Sequence, residues 1–424
     1  MSGAVAGRGD ATHEITILGA GIVGCCCALA LLERGYRVRI IDRVAPGEGT
    51  TRGSAGVISP WSCVPQAIPG VWRGVPQWLL DPEGPVRVRW RDLPSVLPWT
   101  LAFFANARPA RLAKVSDAMS ALIRECLVDY RGWLEGSDVL RDSLYLNVYR
   151  GQERVDENAW PWRLRRERGA TVDYVNAAEL ARLEPLLAGR CTGAMVVRGQ
   201  ARAASPGALC RALADRARAQ GATFEQRIVK AILPNGEGGA TLVSDEGEHR
   251  TAVLVVAAGF GAAKALEPFG LRLPLIAERG YHVEYDEPGV SLNHSVLDVA
   301  GKYVVSSMPN GLRVAGTAEF ADADAPADPR RARALATAAE RLLPELAGRT
   351  PQDWMGVRPS FPDNLPAIGT LIGHRHVHVA FGHSHYGLSM APGTARMIAA
   401  LVSGESTPID ATPFDPGRFA RGGG

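Results

Sequence analysis

The residues from Glu14 to Asp42, EITILGAGIVGCCCALALLERGYRVRIID, constrain the fold of this chain more than any other stretch. Glu14–Leu18 alternates apolar and polar residues as a strand does, and Gly19, Gly21 and Gly24 then give GxGxxG where that strand must turn into a helix. Ile22 to Arg34 has helix-forming composition, Gly35 sits where a glycine ends a helix, and Arg37 to Ile41 is a second apolar strand. Asp42 stands at its tip. In such a turn the first glycine permits the tight bend, the second lets the backbone approach a pyrophosphate, and the third brings the helix close to the sheet. The phosphates then meet the free N–H groups and positive end of the helix. Asp42 follows Gly24 by eighteen residues, where a carboxylate accepts hydrogen bonds from the hydroxyls of an adenosine ribose and repels a 2′-phosphate. The stretch reads as a dinucleotide site rather than a structural turn. By itself it permits NAD or FAD.

With 424 residues the chain exceeds the size at which one core keeps growing, so two domains are expected. A formal charge of +3 with no run of like charges gives nucleic-acid binding no support and favours small-molecule chemistry. The first thirteen residues lack an apolar core and contain Asp10, so they read as a loose tail rather than a signal or anchor. The longest apolar candidate, Leu97 to Ala105, is far shorter than the roughly 20 residues of a spanning helix. Pro94 to Ala105 reads as a buried helix in preference to a membrane-surface contact. Cys25, Cys26 and Cys27 follow one another on the helix, where their side chains diverge and cannot converge on a metal, so they read as packing residues. Seven cysteines without CxxC spacing suit a reducing compartment, and a cytoplasmic location is expected.

Further along, Arg43 to Gly56 is a glycine- and hydroxyl-rich loop or second helix entry, and the prolines and tryptophans of Trp61–Arg108 speak against long regular elements. Apolar residues from Leu112 to Trp133 recur at three and four, the pattern of one long helix from Arg111 to Leu134. Ser205-Pro206 opens a helix that stops at Gly221. Thr223–Ile232 is strand-like, and Leu254–Gly259 is an apolar run ending in small residues, as in a strand buried on both faces of a parallel sheet. Strands at 281–285, 296–299, 303–307 and 312–318, with a hairpin signal at Asn310-Gly311, predict an antiparallel sheet, followed by a helix from Pro329 to Leu343. Val377–Phe381, the loop Gly382–Gly387 and a helix from Leu388 to Val402 repeat the strand, glycine loop and helix of the amino terminus.

Taken with Ala277-Glu278-Arg279-Gly280-Tyr281-His282, Gly311 to Phe320, Gly356-Val357-Arg358-Pro359-Ser360 and Gly382-His383-Ser384-His385-Tyr386-Gly387-Leu388-Ser389-Met390-Ala391-Pro392, the chain resembles the FAD-dependent D-amino-acid dehydrogenases of the D-amino-acid oxidase and glycine oxidase superfamily. The resemblance runs from residue 14 to about residue 418. It implies an α/β fold: a Rossmann-like FAD-binding domain built from segments 1–80, 201–270 and 351–424, and a substrate domain, 81–200 and 271–350, on a mixed, largely antiparallel sheet. It implies oxidation of an amine beside a carboxylate to an imine, which hydrolyses to a 2-oxo acid and ammonia. By the same resemblance the FAD contacts are Gly19, Gly21, Ile22, Val23, Gly24, Asp42, Arg43, Thr50, Thr51, Ser54, Ala55, Gly56, Val57, Val229, Ala258, Gly259, Gly382, His383, Gly387, Leu388 and Ser389. Arg358 falls on the arginine that holds the substrate carboxylate. The loop Thr50-Thr51-Arg52-Gly53-Ser54-Ala55-Gly56 departs from the family's Thr-Ser-Phe-Gly-Asn-Ala-Gly at Arg52 and Ser54, beside the expected path of the ribityl chain.

Transfer of hydride from the α-carbon needs the C–H aimed at the flavin and fixed positive dipoles behind it, rather than a nucleophile. The helix starting near Leu388 offers such dipoles. Tyr281, His282, Tyr303 and His385 are candidates to line the pocket with Arg358. Five histidines crowd into residues 374–385, but no Asp, Glu or Cys joins them nearby, and no metal is expected. The expected partners are an amino-acid substrate and a quinone or other electron acceptor, with at most peripheral membrane contact. The alternatives are a glycine- or sarcosine-type oxidase using oxygen, an NAD-dependent dehydrogenase, and a flavin-binding subunit without turnover.

Overall fold

The computed structural model describes residues 14–68, 70, 81, 84–151, 155–236 and 238–422. The expected amino-terminal tail and part of the proline-rich segment lie outside them. In chain order the strands are β1 (Glu14–Leu18), β2 (Arg37–Asp42), β3 (Val57–Ile58), β4 (Val86–Val88), β5 (Leu140–Tyr149), β6 (Val172–Asn176), β7 (Gly193–Ala203), β8 (Thr223–Gln226), β9 (Val229–Pro234), β10 (Ala240–Ser244), β11 (Gly247–Thr251), β12 (Val253–Val256), β13 (Ile276–Asp286), β14 (Ser295–Asp298), β15 (Tyr303–Met308), β16 (Gly311–Phe320), β17 (Gln352–Ser360), β18 (Ala367–Leu371) and β19 (His374–Phe381).

Six of them form a sheet in the order β18-β19-β12-β1-β2-β8, parallel throughout except for the edge strand β18. β12 lies between β1 and β19 with Leu254, Val255 and Val256 fully buried, which is why its sequence is apolar without alternation. The helix Ile22–Leu32 is wedged against the helices Gly387–Val402 and Pro206–Ala219, so it is apolar all round. Cys25, Cys26 and Cys27 are fully buried there as packing residues. Ser205 caps the Pro206–Ala219 helix by accepting the Ala208 N–H. A ten-stranded sheet runs β17-β13-β16-β15-β14-β5-β7-β3, with β4 on β16 and β6 on β7. It is antiparallel apart from the β14–β5 and β16–β4 pairs, and the helix Pro329–Leu342 packs on β13 and β16. A mixed α/β fold with one mainly parallel and one mainly antiparallel sheet is therefore present, as expected.

Four local expectations need correction. The Arg111–Leu134 helix is two, Pro109–Ile123 and Cys126–Trp133, interrupted at Arg124-Glu125. Thr223–Ile232 divides at Arg227-Ile228 into β8 of the parallel sheet and β9 of a separate three-stranded sheet. The hairpin ladder pairs Met308 with Gly311, so the turn residues are Pro309-Asn310. Proline fixes a negative φ at the first turn position, and neither Asn310 nor Gly311 takes a positive φ. The helix expected at Pro94–Ala105 forms as Leu93–Asn106, within a segment whose prolines speak against long elements. Pro94 occupies its first turn, where no N–H is needed, and Pro98, four residues on, removes only the donor to the Pro94 carbonyl. That helix is not buried as expected: Val96 and Trp99 pack inward, while Leu93, Leu97 and Leu101 are 39%, 50% and 62% exposed. Among the described residues no helix is long and apolar enough to cross a membrane.

Candidate active site

At the carboxyl ends of β1, β2 and β12 the chain builds a cradle. Gly19 N–H donates to Ile41 O (2.8 Å) and Ala257 N–H donates to Leu18 O (2.8 Å), which draws Gly19, Asp42 and the Ala257–Gly259 turn together. Gly19 has φ +117°, and a Cβ there would lie 2.4 Å from Ala257 O; on Gly24 it would lie 1.8 Å from Gly19 O. At Gly21 a Cβ would meet only Thr51 Oγ1, at 3.6 Å, so the space above the turn is open. The Ile22 N–H donates to that Thr51 oxygen (3.1 Å), Gly21 supplies no capping side chain, and the first turn carries no acid. This leaves a helix terminus of positive potential facing open space above Gly21. Asp42 Oδ2 accepts from Ala20 N–H (2.6 Å) and Oδ1 from Val44 N–H (3.2 Å), which fixes the carboxylate beside the glycine turn. Arg227 N–H donates to Asp42 O (2.8 Å), and so holds the start of β9, with Val229, next to the same tip. The Arg43 side chain is exposed. These residues fit an adenosine diphosphate group without a 2′-phosphate.

The loop after β2 closes on the second sheet. Thr50–Gly53 forms one 3-10 turn, and Thr50 Oγ1 donates to Val357 O (3.0 Å). Arg52 points outward to Glu48 (3.1 Å), while its carbonyl and that of Ser54 accept from Arg313 Nη1 at 2.6 and 2.8 Å. The departure at Arg52 therefore puts a side chain into solvent. Ser54 Oγ accepts the Gly56 N–H (3.2 Å), bending Ala55 and Gly56 toward Val57 on β3. Ser389 Oγ accepts the Ser59 N–H (3.0 Å), tying this loop to the carboxyl-terminal helix.

That helix, Gly387–Val402, begins directly after the turn Ser384–Tyr386 and has no acid in its first turn. Pro392 within it cannot donate to the carbonyl four residues back, and Leu388 O instead accepts from the buried Tyr130 hydroxyl (2.7 Å). Gly382 is held under Phe361, since a Cβ there would sit 2.1 Å from that ring. His383 is buried against Thr394 Oγ1 (3.0 Å), and burial lowers its pKa to about 3, so it is neutral. Ser384 takes φ +48°, and its buried Oγ has no partner among the described residues. An open dipole and an orphaned hydroxyl on one loop suit a polar ring system.

Facing this loop, β13 and β17 present a linked set of charges. Their register pairs Glu278 with Arg358, Gly280 with Gly356 and His282 with Trp354. Arg358 lies flat over Gly280, where a Cβ would be 2.1 Å from its Nη2, and its Nη1 donates to Glu278 Oε1 (3.1 Å) and Thr317 O (3.1 Å). Glu278 also accepts from Ser360 Oγ (2.7 Å) and hydrogen-bonds His385 Nε2. Burial alone would raise the Glu278 pKa, but His385, then Arg358 and Ser360, hold it down to about 2. It is a fixed anion, unable to take a proton at neutral pH.

Of the residues expected to line the pocket, Arg358 and His385 meet at Glu278. Tyr281 and Tyr303 do not, which corrects the expectation. Side chains alternate along a strand, so Tyr281 points away from Glu278 and Gly280. Its hydroxyl donates to Glu319 (2.6 Å), and that of Tyr303 donates to Ala338 O (2.8 Å) on the Pro329–Leu342 helix. His282 is on the cleft side but is consumed by packing: it stacks on Trp354 (centroids 5.0 Å), with Nδ1 3.3 Å from Gly53 O. Burial and then Arg313 lower its pKa to about 3. Sequence reasoning missed Glu278, Ser360 and Thr317 as members of the site. The usable signal was parity, because Glu278 shares a strand face with Gly280, where a side chain would collide with the Arg358 guanidinium.

Comparison with known proteins agrees with this fold. Residues 14–401 match the family model described as FAD dependent oxidoreductase. The chain is 35% identical over 417 residues to a D-amino-acid oxidase of Bradyrhizobium diazoefficiens, covering 96% of this chain and 99% of that protein. It is 30% identical over 420 residues to a D-amino acid dehydrogenase of Paramagnetospirillum magneticum, covering 96% and 99%. Its fold superposes on glycine oxidase from Geobacillus kaustophilus with a TM-score of 0.71 at 24% identity, covering 96% and 99%. The chain thus belongs to the FAD dependent oxidoreductase family and is an enzyme with FAD as its cofactor.

Proposed function

We propose that this enzyme oxidises the amine of a D-amino acid to an imine that water hydrolyses to a 2-oxo acid and ammonia, or that of a D-proline-like imino acid to a cyclic imine, whose hydrolysis opens the ring and releases no ammonia. The observation that carries the reading is Arg358, whose guanidinium is pinned flat over Gly280 by Glu278 and Thr317 O beside the Gly382–Gly387 loop. A guanidinium fixed on one edge keeps its other N–H donors in a plane that matches a carboxylate. When bound, FAD supplies the hydride acceptor. The protein's own part is to hold the carboxylate at Arg358 and so aim the α-hydrogen. Because Glu278 stays ionised, it attracts the amino group without serving as a base, and the amine sheds its proton to solvent. The names of both curated relatives support the D-amino-acid substrate.

We further infer that electrons leave to a quinone or another carrier rather than to oxygen. The name of the Paramagnetospirillum relative supports this, as does the helix Leu93–Asn106. Its inner residue Trp99 donates to Ser360 O (3.0 Å), next to Glu278, while Leu93, Leu97 and Leu101 form an exposed apolar stripe suited to peripheral contact with a membrane surface. The second reading, oxygen as acceptor, is favoured by the name of the Bradyrhizobium relative. Turnover with a soluble quinone should exceed peroxide formation in air by at least tenfold. Equal rates would establish the oxidase reading instead.

A further inference from the structure

Arg358 and His385 meet on one atom. Arg358 Nη1 and His385 Nε2 both bond Oε1 of Glu278, while Ser360 Oγ donates to Oε2 (2.7 Å). Guanidinium and imidazole are therefore separated by a single carboxylate oxygen. The loop that carries His385 is fastened to the end of β17 by an isolated antiparallel bridge between His383 and Ser360, and on the far side of the turn the Tyr386 hydroxyl donates to Val64 O (2.8 Å). Solvent reaches the three side chains unequally: those of Glu278, Arg358 and His385 are 3%, 20% and 38% exposed. His385 thus joins the buried carboxylate to water.

Its bond to an ionised carboxylate fixes the tautomer of the ring. Glu278 can only accept, so Nε2 carries the hydrogen and Nδ1 the lone pair. A proton arriving at Nδ1 makes an imidazolium whose charge Glu278 already faces. The neighbouring groups cannot take that part. Glu278 of β13 stays an anion with its pKa held at about 2, Arg358 of β17 has no lone pair to offer, and burial pushes up the pKa of the Tyr386 hydroxyl in the same turn. His383 is buried against Thr394 Oγ1 (3.0 Å).

An α-amino acid carries its nitrogen two bonds from its carboxylate carbon. With the carboxylate on the outer donors of Arg358, that nitrogen comes beside Glu278 and the imidazole bonded to it. Arriving as an ammonium, it has no free electron pair from which to form the C=N bond of an imine. We propose that His385 takes the ammonium proton at Nδ1, holds it as an imidazolium against Glu278 while the hydride leaves, and then passes it to solvent. One N–H bond of the ammonium breaks, its electron pair stays on nitrogen, and the proton bonds to Nδ1. The α-C–H bond then gives up its hydride, with both electrons, to FAD as the nitrogen pair forms the C=N bond. This deepens the reading of the site as an amino-acid oxidising one and rests on it.

The test compares the holoenzyme with His385→Gln, which keeps an N–H donor for Glu278 but has no basic atom, and with His385→Ala, which leaves room for free imidazole. Anaerobic flavin reduction by D-alanine, D-methionine and D-phenylalanine is followed between about pH 6 and about pH 10. In the unmodified enzyme kcat/KM should be level from neutral pH upward, because the zwitterion is competent. In His385→Gln only the fraction of substrate with a neutral amine reacts, so kcat/KM should fall about tenfold per pH unit below the pKa of the free amine and approach the unmodified value above it. Free imidazole should restore His385→Ala at neutral pH. In parallel, propionate, a carboxylate without an amine, is titrated by the change in flavin absorbance and should bind all three proteins alike. A pH profile of the same shape in the unmodified enzyme and His385→Gln, or no effect of imidazole on His385→Ala, overturns the proposal. So does a loss of propionate binding that matches the loss of kcat/KM, which would make His385 a support for Arg358. If no D-amino acid bleaches the flavin of the unmodified enzyme, the oxidation reading fails and the proposal with it; if bleaching occurs and the variants share its pH profile, the role of His385 alone fails.

Discussion

Arg358 and Glu278 form a unit whose parts have different tasks. Truncating one member of a buried, hydrogen-bonded charge pair costs roughly 2–5 kcal/mol, or tens to thousands of fold in binding. Arg358→Ala should keep its flavin spectrum and lose kcat/KM on that scale, and Arg358→Lys should restore little, because an ammonium lacks the planar fork. An Arg358→Ala enzyme with unchanged kcat/KM would move the carboxylate anchor elsewhere. Glu278 also makes stability depend on pH. Its folded pKa, about 2, lies below that of an unfolded glutamate, so its contribution is full above the unfolded value and is lost as pH falls toward 2. The Tm gap between the unmodified protein and Glu278→Gln should therefore be widest above about pH 5 and narrow steadily on acidification. A gap that does not change with pH would contradict the ionised assignment.

Among the elements, the helix Gly387–Val402 shows a local defect repaired from outside. Pro392 deprives Leu388 O of its helical donor, and Tyr130 supplies one from the helix Cys126–Trp133. Tyr130→Phe should leave that buried carbonyl unpaired at a cost of about 1–3 kcal/mol. Pro392→Ala restores an N–H, so the cost of Tyr130→Phe should shrink in that background; additive effects of the two changes would argue against the repair. The same elements show what was legible. The dinucleotide turn could be read because GxGxxG, the flanking strands and Asp42 act within thirty residues of chain. The burial of the helix Leu93–Asn106 could not, because apolar composition is local while the docking of Val96 and Trp99, with Leu93, Leu97 and Leu101 left outside, is tertiary. Tyr281 was misjudged because alternation tells which residues share a face but not which face meets the cleft. The register of β13 on β17 decides that, by placing Arg358 beside Glu278.

At the scale of the whole molecule, two sheets meet where the carboxyl ends of β1, β2 and β12, the turn Thr50–Gly53 and the loop Gly382–Gly387 face β13 and β17. Hydrogen bonds from Thr50 to Val357 O, from Arg313 to the Arg52 and Ser54 carbonyls, and between His385 and Glu278 span that meeting. The nucleotide half of the site was open to sequence reading because one stretch, Glu14–Asp42, carries its glycine turn and its terminal acid. The half around Glu278 brings together Glu278, Arg358 and His385 from distant parts of the chain, and of these only Arg358 and His385 were singled out by the sequence. The central claim is that this meeting place oxidises D-amino acids. Its most direct test is an anaerobic titration of the holoenzyme with a panel of D- and L-amino acids and the matching decarboxylated amines, recording flavin bleaching together with 2-oxo acid and ammonia. The expected result is bleaching by D-amino acids alone, with one 2-oxo acid and one ammonia formed per flavin reduced. A flavin that stays oxidised with every D-amino acid, or that bleaches as readily with the amines lacking a carboxylate, would contradict the account.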